Sequence, residues 1–198
     1  MTYADYKRVY VDRDSAYGAN FNRYEVGTKS ESEKLRQVNP NYASGEYKWT
    51  HNCQRCVVAW EMIQRGYNVT AKPFSPSDSI GSSGIAAWKF NNKFWWLDSE
   101  AKVTSKAFFK EEIQKAFEKW GEGARAEVCV QWLKGNSHGF TARFSNGKII
   151  YEDPQAAVEL DIDEVIKKCT LVKGKNWFMR VDNRAFTEAI KDAVENVE

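Results

Sequence analysis

Three residues of this chain have types and settings that together could carry out chemistry: Cys53, His138 and Asp153. Cys53 opens the stretch Asn52–Gly66, in which Asn52 is a preferred N-cap residue and Gly66 a preferred residue just past a helix end, so a helix of about three to four turns is marked at both ends. A thiol at a helix start sees the positive end of the peptide dipoles and free backbone N–H groups, which favour the nucleophilic thiolate. Cys56, one turn later, falls between Ile63 and Trp60 in the apolar arc and reads as core. At about 100° per residue, Gln54, Glu61 and Arg65 form one narrow polar stripe, and Val57, Val58, Ala59, Trp60, Met62 and Ile63 take most of the rest. The helix is expected to be buried on most sides.

The histidine and the carboxylate sit on a predicted hairpin. Strand-like runs from His138 and from Lys148 flank Asn146-Gly147, a strong two-residue turn signal. Pairing Ser145 with Lys148 places His138, Phe140, Asp153 and Gln155 on one face, with His138 and Asp153 diagonal neighbours about 7–8 Å apart at the backbone. Phe140, Ala142 and Phe144 make that face apolar, so it is expected to cover the central helix. A carboxylate there can orient an imidazole and stabilise its charged form. The set then supplies a thiolate for an acyl carbon, an imidazole that relays a proton to the leaving nitrogen, and helix-start amides for the oxyanion.

Cys53-x-x-Cys56 also allows a redox pair or half a zinc site. Zinc needs two further ligands, and His51, His138, Cys129 and Cys169 form no recognisable second pair, so no metal and no cofactor is expected. The redox reading lacks a preceding strand in a βαβ unit.

The rest of the chain must position these groups. Its 198 residues, 42% hydrophobic and 14% aromatic, suffice for a full core, and a single domain over 1–198 is the expectation. Residues 1–45 are polar and punctuated, with scattered tyrosines, and read as an arm laid on a 46–198 core; 30–38 reads as a short helix. Beyond the central helix come a short strand (67–71), a loop (77–84), a hairpin of 85–90 with 93–98 and an amphipathic helix (105–120). A strand (124–133), the Asn-Gly hairpin, a helix opened by Asp161, a strand region (170–181) turning at 173–176 and a last helix to about Val194 follow. A helix followed by mostly antiparallel strands is an α+β plan. Net charge is only +2, from 29 basic and 27 acidic residues, which gives no electrostatic case for nucleic acid. Met1–Tyr6 shows no signal-peptide core and no apolar run reaches the ~20 residues of a membrane span, so a soluble protein without membrane partners is expected.

With these residues in view, the chain resembles the papain-fold toxin domains of bacterial polymorphic toxin systems, including versions attached to phage-head-like proteins. The likeness rests on Asn52-Cys53-x-x-Cys56-Val57-Val58-Ala59, Arg65-Gly66-Tyr67-x-Val69, Ala124-Arg125, His138-x-Phe140 and Asp153-Pro154-Gln155. The interval from His138 to Asp153 is also similar to that of papain-like glutamine deamidase effectors. Ser137 stands where the family usually has glycine, and Gly139 follows the histidine. The resemblance implies a papain-like fold with Cys53 as nucleophile, His138 as base and Asp153 as orienter, acting on a carboxamide or peptide bond. Asn52 and Gln155 are candidates for substrate or oxyanion contacts. It further implies a glutamine deamidase toxin acting on a target protein in the target-cell cytoplasm, delivered as part of a larger toxin and restrained by an immunity protein. A cysteine peptidase of the same fold, or a non-catalytic interaction or phage-structural domain, is the alternative.

Overall fold

Ser30 opens the helix over Glu31–Val38 through a capping box: its side chain accepts from the Glu33 amide, and the Glu33 carboxylate takes the Ser30 amide at 2.7 Å. The structure is a computed structural model and describes residues 17–25, 27–81, 84–90, 101–104, 109–170, 172 and 174–198. Helix α1 is Glu31–Val38, α2 is Tyr47–Thr50, and α3, the central helix, is Cys53–Gln64. Helix α3 stops at Arg65, and Gly66 comes next with φ 90°, a left-handed backbone that favours glycine. The rest in chain order is β1 (Val69–Ala71), β2 (Ala101–Thr104), α4 (Phe109–Trp120), β3 (Arg125–Gln131), β4 (Ser137–Ser145), β5 (Lys148–Asp153), β6 (Val158–Glu159), α5 (Ile162–Lys168), β7 (Asn176–Arg180), α6 (Ile190–Ala193) and β8 (Val194–Asn196).

Six strands form an antiparallel sheet in the order β2-β7-β3-β4-β5-β6, and β1 pairs with β8 in a separate ladder. Strand alternation splits the interior in two. Trp177 and Met179 of β7 pack with α1, α3, β1 and β8, whereas Phe178 between them packs with Phe109, Ile113 and Phe117 of α4 and with Ile162 and Val165 of α5. The sheet is therefore covered on both faces, with α3 on one side. No described helix is long and apolar enough to cross a membrane.

Several expectations change against this architecture. Phe140, Ala142 and Phe144 lie in the core under α4 and α5, not against the central helix. The opposite face of β4, with Gly139 and Thr141, turns to α3. A methyl group at Gly139 would stand 3.7 Å from Val57 Cγ2. The expected Ile85–Phe90 strand begins as a 3-10 turn over Ile85–Ala87, its partner at 93–98 lying outside the described residues. The expected C-terminal helix is reduced to α6, because Val194 is buried in the ladder opposite Ala71. Asp182, just past β7, accepts from the Arg125 amide at 2.8 Å and from Arg180.

The polar stripe of α3 is also buried. Glu61 and Arg65 are 0% and 1% exposed at the side chain and pair with each other at 2.7 Å, while Arg125 of β3 reaches Glu61 through Nε at 2.7 Å and Nη2 at 2.8 Å. Arg65 Nη2 also donates to the Val181 carbonyl at 2.8 Å. Burial pushes the Glu61 carboxyl up, but the two guanidiniums outweigh it and hold it below the ordinary carboxylate range. One carboxylate thus clamps the central helix to the sheet. Glu61→Ala leaves two guanidiniums facing an apolar gap and should destabilise the fold by about 3–5 kcal/mol, read as a lower urea midpoint at unchanged slope.

Candidate active site

Cys53 is the first residue of α3 and half-buried. The Asn52 carbonyl already accepts from the Arg55 and Cys56 amides, at 2.9 and 3.1 Å. Cys53 and Gln54 hold the first two helical positions, where no preceding turn supplies an acceptor for the backbone N–H. Asn52 occupies the cap position, but its side chain makes no capping bond. It is used elsewhere.

His138 is the second residue of β4, and Asp153 ends β5. The hairpin register starts at Ser145↔Lys148 and runs to Thr141↔Glu152, with Asn146 and Gly147 at φ 53° and 73° in the turn. The β4–β5 ladder stops there, and Asp153 pairs instead with Val158 of β6. Its carboxylate meets the imidazole all the same: His138 Nε2 lies 2.9 Å from Asp153 Oδ2. The imidazole also interacts with Cys53, whose Sγ donates to Gln54 Oε1 at 3.7 Å.

A series of contacts closes the arrangement on itself. Asp153 Oδ1 accepts the Gln155 amide at 2.9 Å; Gln155 Nε2 donates to Asn52 Oδ1 at 3.1 Å; Asn52 precedes Cys53. Asn39 Nδ2 braces the same junction, donating to Asn52 Oδ1 at 3.2 Å, to the Gln155 carbonyl at 3.0 Å and to the Trp49 carbonyl at 3.0 Å. Asn52 Nδ2 donates to the Lys72 carbonyl at 3.1 Å. The amides of Asn52 and Gln155, both buried, are thus engaged within the protein.

The electrostatics favour a charged pair. Burial pushes the Cys53 thiol up, but the hydrogen bond and charge of His138, with a bond from the Gly139 amide, carry it below the ordinary thiol range. Burial pulls the His138 imidazole down, and the hydrogen bonds and charges of Asp153 and Cys53 override it, to about 10. Cys56 is fully buried, and desolvation drives its thiol well up. The two thiols of one helix turn are set oppositely.

Three neighbours lie outside the sequence reading. Glu127 of β3 is 1% exposed, receives Trp88 Nε1 at 2.7 Å and is pushed to about 8, by burial first and by the nearby Cys53 charge. In sequence it is an ordinary outward polar residue alternating with Ala126 and Val128. Trp132 stacks on His138 with ring centroids 5.8 Å apart. Asn39 reads only as a turn residue beside Pro40. Among the described residues no group of three His, Cys, Asp or Glu side chains could hold a metal ion.

A helix that carries a cysteine at its mouth, packed on an antiparallel sheet that presents a histidine and a carboxylate to it, is the papain-like arrangement. Residues 51–157 match the family described as papain fold toxin 1, glutamine deamidase, and as these are just over half of the chain, it belongs to that family. No curated protein and no solved structure matches it.

Alkylation separates the thiols. Because the Cys53 value is lowered, its thiolate persists as pH falls below the ordinary thiol value of about 8.5 and is lost only further down. Iodoacetamide labelling followed by peptide mapping should show Cys53 reacting with a midpoint below that value, and Cys56 and Cys129 unlabelled over the same range. In His138→Ala the Cys53 midpoint should move above it, since burial, the largest effect, is then opposed by the Gly139 amide without the imidazole.

Proposed function

We propose that the protein is a cysteine-dependent amidohydrolase that converts glutamine side chains of a target protein to glutamate, with Cys53 as nucleophile, His138 as proton carrier and Asp153 as orienter. The observation that carries this reading is the connected line from Asp153 Oδ2 through His138 to Cys53 at the open end of α3.

Cys53 Sγ, as thiolate, adds to the carboxamide carbon, and the developing oxyanion is met by helix-start N–H groups of Cys53 and Gln54. The His138 imidazolium gives its proton to the amide nitrogen, the C–N bond breaks and ammonia leaves a thioester on Cys53. Water then attacks that thioester while His138 takes a proton from it. The C–S bond breaks, glutamate departs and the thiolate–imidazolium pair is restored. Asp153 holds the ring through Nε2 and stabilises its positive charge throughout. Asn52 and Gln155 take part as positioning residues: their engaged amides hold the helix mouth against the end of β5.

The family description supports the deamidase and toxin parts of the reading. The toxin acts on a protein inside a target cell, reaches it as part of a larger assembly, and is held in check in the producing cell by an immunity protein over its site.

Expression in a sensitive cell, followed by mass spectrometry of the cell's proteins, tests the chemistry. Glutamine-to-glutamate conversion at defined sites is expected. New chain termini in its place would assign a peptidase, and neither change from a folded protein would leave a binding domain. Cys53→Ala should abolish conversion with the fold intact, and His138→Ala should lower it about 10²–10⁴-fold. Against pH, activity should fall on the acid side as the thiolate is protonated, and on the alkaline side near 10, as His138 loses the proton it must donate.

A further inference from the structure

Beside His138 lies a pocket of about 530 Å³ lined by Trp132, Leu133, Lys134, Asn136, Lys167 and Lys168. It lies between the turn that leads into β4 and the last turn of α5. Leu133 is 66% exposed, the highest value among the described large hydrophobic residues. The turn is held firmly: the Trp132 amide donates to the Asn136 carbonyl at 2.7 Å, the Gly135 amide to the Trp132 carbonyl at 3.0 Å, and the Leu133 amide to the Lys168 carbonyl at 2.9 Å. Both walls are thus joined before anything binds.

The charges on these walls have one sign. Lys167 pairs with Glu164 on its own helix, whereas no acidic partner among the described residues holds Lys134 or Lys168. Lysines in the last turn of a helix are favoured by its dipole, which accounts for Lys167 and Lys168. The dipole does not account for Lys134 on the facing wall, or for an indole and an open leucine between them. Trp132 belongs to both places, since the ring that lines the pocket also stacks on the imidazole.

We propose that this pocket docks an acidic segment of the substrate protein, its apolar side chain against Leu133 and Trp132 and its carboxylates against Lys134 and Lys168, next to the glutamine presented to Cys53. The inference rests on the deamidase reading for the identity of its partner. Charge complementarity selects acidic over basic sequence around the target glutamine, and salt weakens the preference.

The test uses two fluorescein-labelled peptides, one with glutamine flanked by leucine, aspartate and glutamate, the other with lysine in place of each acid. Anisotropy on the Cys53→Ala protein reads docking without chemistry; ammonia release by the native protein reads turnover. The acidic peptide should bind at least tenfold tighter than the basic one. Lys134→Glu with Lys168→Glu should erase or reverse that ratio, and the Gln pair should reduce it. Lys48→Glu with Lys191→Glu, which changes net charge equally away from the pocket, should preserve it. No preference in the Cys53→Ala protein, or one that survives the Lys134/Lys168 reversal in a folded protein, overturns the proposal, as does its loss in the Lys48/Lys191 control. Self-association abolished by the pocket reversal, without peptide preference, would assign the surface to a second copy and equally overturn it. A binding preference that depends on the pocket lysines, with no ammonia released from either peptide, would uphold docking and count against the deamidase reading alone.

Discussion

Everything at this site depends on holding the mouth of one helix against the ends of two strands. Helix α3 and the hairpin β4–β5 are far apart in sequence, and no ladder joins them. The link is a ring of polar contacts: Asn52 to Gln155, Gln155 to Asp153, Asp153 to His138, and His138 back to Cys53 beside Asn52. The first three contacts span 2.9 to 3.1 Å, and the one between Asn52 and Gln155 is buried, so its loss would leave a donor or acceptor without its partner in a region closed to water. The ring turns the ends of separate elements into one rigid unit. Asn39 adds three donations at its rim and ties the segment before the helix into the same unit.

A second clamp, of different character, sets the other end of the helix. Glu61 sits between Arg65 and Arg125, and Arg125 belongs to the strand next to β4. The helix is thereby fixed to the sheet at both ends, by neutral amides near Cys53 and by a charged triad near its C-terminus. Two anchor points determine both the position and the tilt of a rod. The apolar face of α3 contributes stability between them, but apolar contacts tolerate sliding in a way that directed hydrogen bonds do not.

Where local chemistry dictates geometry, the sequence was legible. Asn146-Gly147 demands positive φ at both positions, which fixed the hairpin register, and Gly66 marked the helix end for the same reason. Asp161 caps α5 through the Asp163 and Glu164 amides, as its position before an acidic first turn implies. The choice between two buried faces was not legible. Phe140 and Gly139 point to opposite sides of a sheet that is covered on both, and the more apolar side went to α4 and α5, not to the central helix. A period of two says that faces alternate and is silent on which one meets which helix. The Gln54, Glu61 and Arg65 stripe failed similarly, because polarity marks solvent only where no partner waits in the fold. Asn39 was unreadable since both of its main partners, Asn52 and Gln155, are supplied by distant sequence.

The placement of two carboxyls completes the logic of the site. Asp153 receives the imidazole and the backbone amides of Gln155 and Ala156. Glu127 has the Trp88 indole and deep burial, and with a value pushed to about 8 it keeps its proton near neutral pH. Were Glu127 charged, its field would oppose the Cys53 thiolate, just as the thiolate opposes ionisation of Glu127. Burial of an almost unaccompanied carboxyl on the α3 side of β3 therefore protects the ion pair it neighbours. One acid of the site is driven toward its protonated form by burial, and the sulfur beside it is left to carry the negative charge.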